Sequence, residues 1–433
     1  MKLKKALYIA AACVLAAGMF FGCSKKEAAA AKDPNAPAKL TVWCWDPAFN
    51  MYAMEEAAKI YKTTNPNVTV EIVETPWDDL QQKLITSLTA GATDTLPDII
   101  LMQDNAAEKN ISAYPKAFLP LDGKIDLSQF ASYKVDFGKV NGKCYTLPFD
   151  NGATATFLRT DTLAEAGLTP ADFNDITWDR FIELGRIVKA KTGKPLVSMP
   201  QDSADFIAIM MQSAGTWYFD ANGKTNIVNN KALHECMRIY SQMIAEGICL
   251  AATDWNAYIA TIQTGAVAGT INGCWIIGSI TAVPEQSGKW AAVNTPRIAS
   301  MPESVNYSSN GGSSWMVLAS SKNADIAVDF LNKTFAGSTE LYDTILPKSG
   351  AIGTWLPAGS SPVYSKPQDF FAGQKVFEDI VGYAAKIPRV KYGIYNYEAR
   401  DAISIALYDI LAGKDITEAL KSAQETVMFQ IGE

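Results

Sequence analysis

The chain has 433 residues, 48% of them hydrophobic and 10% aromatic, with a formal net charge of −7. That length accommodates two domains with proper cores, and the composition excludes a disordered chain. An acidic surface excludes nucleic acid as a partner, because phosphate contacts need a basic face.

Chain order begins with Lys2, Lys4 and Lys5, a positive segment, followed by an uncharged run from Ala6 to Gly22 rich in Ala, Leu, Val and Phe. This is the layout of a secretory signal, and it is slightly short for a spanning helix of about 20 apolar residues. The run ends in Phe20-Phe21-Gly22-Cys23, which resembles a bacterial lipobox. Residues 1–22 are then a signal peptide, and Cys23 carries lipid. Removing them takes away three lysines and no acids, which brings the charge from −7 to −10. The alternative is an uncleaved anchor helix; either way the body lies outside the cytoplasm, tethered to a membrane. Residues 23–38 hold the lipidated cysteine and a polar, Ala-rich tether with two prolines and no apolar period, which cannot bury a face.

In the body, Leu40, Val42 and Cys44 alternate with Thr41, Trp43 and Trp45, the period of a strand. Asn50 is placed to cap a helix with apolar positions Met51, Met54, Ala58 and Tyr61, stopped by Asn65-Pro66-Asn67. Val68, Val70 and Ile72 mark a second strand. Asp78 and Gln81 resemble a capping box for a helix that buries Leu80, Leu84 and Leu88 and ends at Gly91. Pro97-Asp98 leads into a third strand, Ile99 to Met102. Strand, helix, strand, helix, strand is the order of a parallel sheet with right-handed crossovers. Ligands of such sheets bind outside the carboxyl ends of the strands. Those ends are Trp45-Asp46, Thr75-Pro76-Trp77 and Gln103-Asp104. Farther on, Trp178 follows Thr177 at a helix start and reads as core, and a late helix buries Ile403, Leu407 and Ile410 and ends at Gly413.

The remaining chemistry is sparse. Beyond Cys13 in the signal and Cys23, the cysteines are Cys44, Cys144, Cys236, Cys249 and Cys274, an odd set without CxxC. They read as buried thiols, with room for one disulfide that the sequence does not assign. His234 is the only histidine and reads as a solvated surface residue, so a His-based metal site or a Ser-His-Asp triad has little support. Gly223-Lys224-Thr225 has the tail of a P-loop, but Tyr218 stands where its first glycine belongs.

Several stretches together resemble extracellular solute-binding proteins of family 1, the maltose-binding-protein-like group that serves ABC sugar importers. LTVWCW opens the first strand as that family does. LPDII matches its third strand, and NGKCYTLPFDNGATATFLRTDTLAEAGL, ITWDRFIELGRIVKAKTGKP, IQTGAVAGTINGCWIIGSI and NGGSSWMVLASSKNADIAVDFLNKTFAGSTE follow in the family's order and spacing. Two departures stand out. Leu158-Arg159-Thr160 replaces the frequent Tyr-Asn-Lys, and Thr270-Ile271 replaces Ala-Met.

The resemblance implies an α/β, two-lobe periplasmic-binding-protein-like fold of type II, each lobe a sheet flanked by helices, with the ligand cleft at the hinge. It implies chain crossings near Phe149 to Ala153, Thr264 to Gly269 and Phe335 to Gly337. The N-terminal lobe is then 39–150 plus 268–334, and the C-terminal lobe 151–267 plus 335–433. It further implies a monomer without cofactor, metal or catalytic residue, lipid-anchored on the periplasmic or extracellular face of a bacterial membrane, which passes a sugar to ABC permease subunits.

A pyranose has a face of C–H groups, which aromatic rings cover, and a rim of hydroxyls, which carboxylates and amides bind. The chain has ten tryptophans, most near expected strand ends or loops. By the resemblance, the ligand-binding residues are Trp45, Asp46, Trp77, Asp104, Phe149, Asp150, Trp255, Trp275, Gly312 and Trp355. Trp275 follows Gly273 as the family's cleft tryptophan does, and Gly311-Gly312 suits a backbone passing close to ligand.

Other readings remain open. A polyamine, amino acid or peptide fits an acidic pocket in the same fold. A secreted glycosidase needs two carboxylates about 5–10 Å apart, and no hydrolase motif is visible. The tyrosines of Lys391 to Tyr397 point toward iron binding, but the adjacent Tyr-Tyr pair is missing. A surface adhesin has only the lipobox in its favour.

Overall fold

A computed structural model describes residues 37–201, 204–220 and 222–433. The expected signal, Cys23 and the tether up to residue 36 lie outside the described residues. Ala38, assigned to the tether, already belongs to the first strand, where it pairs with Val68. Among the described residues, no helix is long and apolar enough to cross a membrane.

Strands β1 (Ala38–Cys44), β2 (Val68–Glu74) and β3 (Ile99–Gln103) run parallel, with β1 between the other two. Leu40 lies opposite Val70, and Val42 opposite Ile72. The alternation read in β1 is real: Leu40, Val42 and Cys44 are fully buried. Ile99 to Met102 are buried without alternation, as in strands covered by helices on both faces.

Two local expectations change. The helix after β1 spans Tyr52–Thr64 and is preceded by a wide turn, Pro47–Met51, capped by Asp46, which accepts from the backbone N–H groups of Ala48 and Phe49. Asn50 is not the cap. Its Oδ1 turns inward and accepts from the N–H groups of Trp45 and Asp46 at 3.1 and 3.0 Å. The helix Trp77–Ala90 has no capping box, because Pro76 holds the N-cap position and Asp78 falls inside the first turn; Gln81 instead accepts from Asn110 at 3.1 Å. Gly91 ends that helix with φ 69°, as expected.

The hairpin β4 (Lys139–Val140) and β5 (Lys143–Cys144) leads to β6 (Leu147–Pro148) at the edge of the first sheet. A second sheet is built on β7 (Thr154–Arg159), and a small parallel pair joins β8 (Val197–Pro200) to β9 (Cys249–Ala252). Both β10 (Gly269–Gly273) and β11 (Trp290–Val293) lie antiparallel to β7. Then β12 (Ser313–Val317) returns to the first sheet, antiparallel to β3 and β6, completing the order β2-β1-β3-β12-β6.

This pairing redistributes the chain between the core around β7 and the core around β1. Residues 268–310, expected with the first sheet, carry β10 and β11 and bury Ile271, Ile276, Ile280, Trp290 and Ile298 in the core around β7. Residues 335–358, expected with the second, bury Phe335, Leu341, Tyr342, Ile345 and Ala358 in the core around β1. Strand pairing decides both, since backbone donors in a sheet cannot be left open. Phe149 packs in the core around β1 and Ala153 in the core around β7. The next crossing falls at Asn310 to Ser313. Ile403, Leu407 and Ile410 pack into the second core, and Trp178 is buried at its centre.

All five described cysteines are free and buried. His234 is half-buried, with Nε2 2.8 Å from the carbonyl of Val228, so it is a structural tie and not a solvated residue.

Candidate ligand-binding cleft

Burial of the strand flanks leaves the carboxyl ends of β1, β2 and β3 free to point at one place. There they line a cavity of about 970 Å³ with Trp45 and Asp46, Pro76 and Trp77, and Gln103 and Asn105. Asp150 and Gly312, at the two crossings, form its floor. Opposite stand Trp255, Asn256, Ile259 and Gln263 on the helix Trp255–Gln263, Trp275 just after β10, and Asp205, Tyr397 and Arg400.

The aromatic rings form two groups. Trp45 and Trp77 meet edge to face, centroids 5.4 Å apart, and Trp77 lies 6.0 Å from Tyr397. Across the cavity Trp255 and Trp275 are 5.7 Å apart at 43°. The Trp275 ring is fixed by its Nε1, which donates to the carbonyl of Asn310 at 3.0 Å. Trp255 is 38% exposed, so a large apolar surface faces the opening.

Polar groups are set between the rings. Arg400 is ion-paired with Asp205, to which Asn310 Nδ2 also donates at 3.3 Å. Burial opposes the Arg400 charge, but Asp205 and the neighbouring tyrosines hold its pKa above the ordinary value. Burial raises the pKa of Asp46 against the pull of its two backbone N–H donors. Burial also raises that of Asp150, opposed by Lys134 and by the N–H and hydroxyl of Ser313. The Tyr397 hydroxyl lies between Asn105 Oδ1, at 2.8 Å, and Gln103 Oε1, and its one proton is shared between them.

Seven of the expected ligand residues, Trp45, Asp46, Trp77, Asp150, Trp255, Trp275 and Gly312, line this cavity. Asp104 sits behind the floor, where it is ion-paired with Lys134 and accepts from Ser314 Oγ at 2.7 Å; it lines a neighbouring cavity instead. Phe149 is fully buried among Phe49, Trp315 and Phe335. Trp355 is 8% exposed and stacks on Tyr342 in the first core. Both are core aromatics of the first sheet.

Asn105, Asp205, Asn310, Tyr397 and Arg400 were missed. Tyr397 and Arg400 carry a readable signal: they stand three apart near the start of the helix Asn396–Leu411, and so share a face.

The profile of bacterial extracellular solute-binding proteins matches residues 56–372, well over half of the chain. The chain belongs to this family. A solute-binding protein of this family works outside the cytoplasm and binds its solute without converting it, so the chain is not an enzyme. It is 40% identical over 393 residues to a lactose-binding protein of Rhizobium radiobacter, covering 91% of this chain and 93% of that one. It is 27% identical over 329 residues to an arabinooligosaccharide-binding protein of Bacillus subtilis (strain 168), covering 74% and 73%.

Among solved structures, the GacH receptor of Streptomyces glaucescens GLA.O, studied unliganded and with acarbose, matches with TM-score 0.78 at 18% identity, covering 92% of this chain and 99% of that one. The ABC transporter associated binding protein from B. animalis subsp. lactis Bl-04, in complex with β-1,6-galactobiose, matches with TM-score 0.77 at 20% identity, covering 92% and 98%. These structural likenesses show the fold: this solute-binding protein is an α/β protein of the type II periplasmic-binding class.

Proposed function

We propose that this protein captures a carbohydrate, a mono- or oligosaccharide, in the cleft between its two sheets and delivers it to the permease of an ABC importer. The observation that carries the reading is the cavity wall. Two pairs of tryptophans, Trp45 with Trp77 and Trp255 with Trp275, line it together with carboxylates, amides and one guanidinium. Rings cover the C–H faces of a pyranose, and the polar groups take its hydroxyls. The lactose-binding relative supports a sugar, and a disaccharide in particular.

The lobes are 38–150 plus 313–358 and 151–310 plus 364–433, hinged at Phe149 to Ala153 and Asn310 to Ser313. Ligand that touches both lobes only when they are closed shifts the population toward closure. Trp45, Asp46, Trp77, Asp150, Trp255, Trp275 and Gly312 are the contacts we assign. The protein acts as a monomer, and lipid on Cys23 holds it at the membrane surface.

A polyamine is the second reading. It is favoured by the four carboxylates of the lining, Asp46, Glu74, Asp150 and Asp205, against the single cation Arg400. Intrinsic tryptophan fluorescence of the full chain in mild detergent separates the two readings. The panel is mono- and oligosaccharides, polyamines, amino acids and ferric citrate, with chromatography for products. Saturation by a sugar at micromolar concentration or below, without product, is the expected result. A response to a polyamine or amino acid alone keeps the fold and removes the sugar. Product formation moves the case to a hydrolase.

A further inference from the structure

Beside the cleft lies a second cavity of about 470 Å³, and Asn105 and Gly311 line both. Gly152 and Gly311 both line it and pack backbone to backbone: a Cβ on Gly152 would stand 2.5 Å from the carbonyl oxygen of Gly311. Its roof is the segment 384–393, and this segment is pinned. Gln212 Nε2 donates to the carbonyl of Pro388 at 2.5 Å, and the Tyr392 hydroxyl donates to Gln212 Oε1 at 3.1 Å. One wall is aromatic, with Phe137 stacked on Tyr392 at 5.5 Å and 18°. The rim carries exposed groups of both signs, among them Glu108 and Lys391.

The size and the chemistry of this space have one common reading. Ligand pockets for a drug-sized molecule hold about 300–1,000 Å³, and the first cavity is already at the upper end of that range. A disaccharide fits within it, and the second cavity adds room for further rings. Mixed-sign polar groups around an aromatic wall match sugar hydroxyls, which both donate and accept. They match a single-charged ligand poorly. We infer that the second cavity is a subsite for the third and later residues of an oligosaccharide whose first two rings fill the main cleft. This rests on the carbohydrate reading of the cleft.

The test is titration calorimetry of the full chain in mild detergent with galacto-, arabino- and malto-oligosaccharides of one to four residues. In the series that binds, the Kd falls about tenfold, some 1.4 kcal/mol, between two residues and four. Glu108→Ala and Lys391→Ala, both at exposed positions, bring the tetrasaccharide back toward the Kd of the disaccharide without lowering Tm. Equal Kd for two and four residues in the wild-type chain overturns the subsite and leaves the carbohydrate reading standing. Tetrasaccharide binding that neither variant alters also overturns it. No binding of any sugar overturns the carbohydrate reading and the subsite together.

Discussion

The Tyr397 hydroxyl donates to the side-chain oxygen of Asn105 at 2.8 Å, and so joins a helix of the second core to the helix that follows β3 in the first. Nearby, Lys109 pairs with Glu398, and Phe137 stacks on Tyr392. These contacts lie beside the cleft and tie the elements on its two sides together. A hydrogen bond of this kind contributes about 0.5–1.5 kcal/mol net. Tyr397→Phe is therefore expected to weaken sugar binding by roughly 2- to 12-fold, since every 1.4 kcal/mol is tenfold. Small-angle scattering should show a larger unliganded radius of gyration. An unchanged radius would mean that the bond does not hold the walls.

Trp178 and Trp255 separate packing from binding. Trp178 is fully buried against Phe181 and Phe206, centroids 5.4 and 5.2 Å away. Trp178→Ala is expected to cost about 3–5 kcal/mol in denaturant unfolding. Trp255 is 38% exposed, so Trp255→Ala should change stability by no more than about 0.5 kcal/mol. It should still weaken sugar binding several-fold, because the ring supplies the stacking surface.

Gly312 has φ 104°, and a Cβ there would lie 2.8 Å from both Asp104 Oδ2 and Lys134 Nζ. Strain and a clash with a buried ion pair act together. Gly312→Ala should lose about 1–3 kcal/mol of stability, with a rise in Kd because the floor of the cleft shifts.

Glu246 gives a pH prediction. Its hydrogen bonds from Arg186 and Gln242 hold its pKa down at about 2. A carboxylate with a depressed folded pKa adds stability above its unfolded value, about 4.3, and loses it as pH falls toward 2. Arg186 is exposed and Glu246 half-buried at the surface, so the contribution is small. The Tm gap between wild type and Glu246→Gln should be present at pH 6, shrink below the unfolded value and vanish only as pH falls through about 2. A gap that widens on acidification would reverse the sign of this account.

How much could be read from the sequence depended on where each signal lives. The first three strands were legible because Leu40, Val42 and Cys44 alternate, and because Ile99 to Met102 form an unbroken apolar run. The strand ends that build one wall of the cleft followed from that order alone. Phe149 and Trp355 could not be separated from Trp45 and Trp77, since an aromatic side chain at a strand or loop end turns inward or outward according to neighbours distant in sequence. The same limit hid Asp205 and Arg400, which are 195 positions apart and meet only through tertiary packing. The domain boundaries went astray at β10, because Gly269 to Gly273 reads as a strand of either sheet until its pairing with β7 is known.

Titration calorimetry of the full chain, wild type against Trp77→Ala/Trp255→Ala, tests carbohydrate capture most directly, with lactose, arabino-oligosaccharides and spermidine as titrants. One saturable site for a di- or oligosaccharide, micromolar or tighter, is expected, and its heat should disappear in the double variant. Silence with both sugars and saturation with spermidine would contradict it.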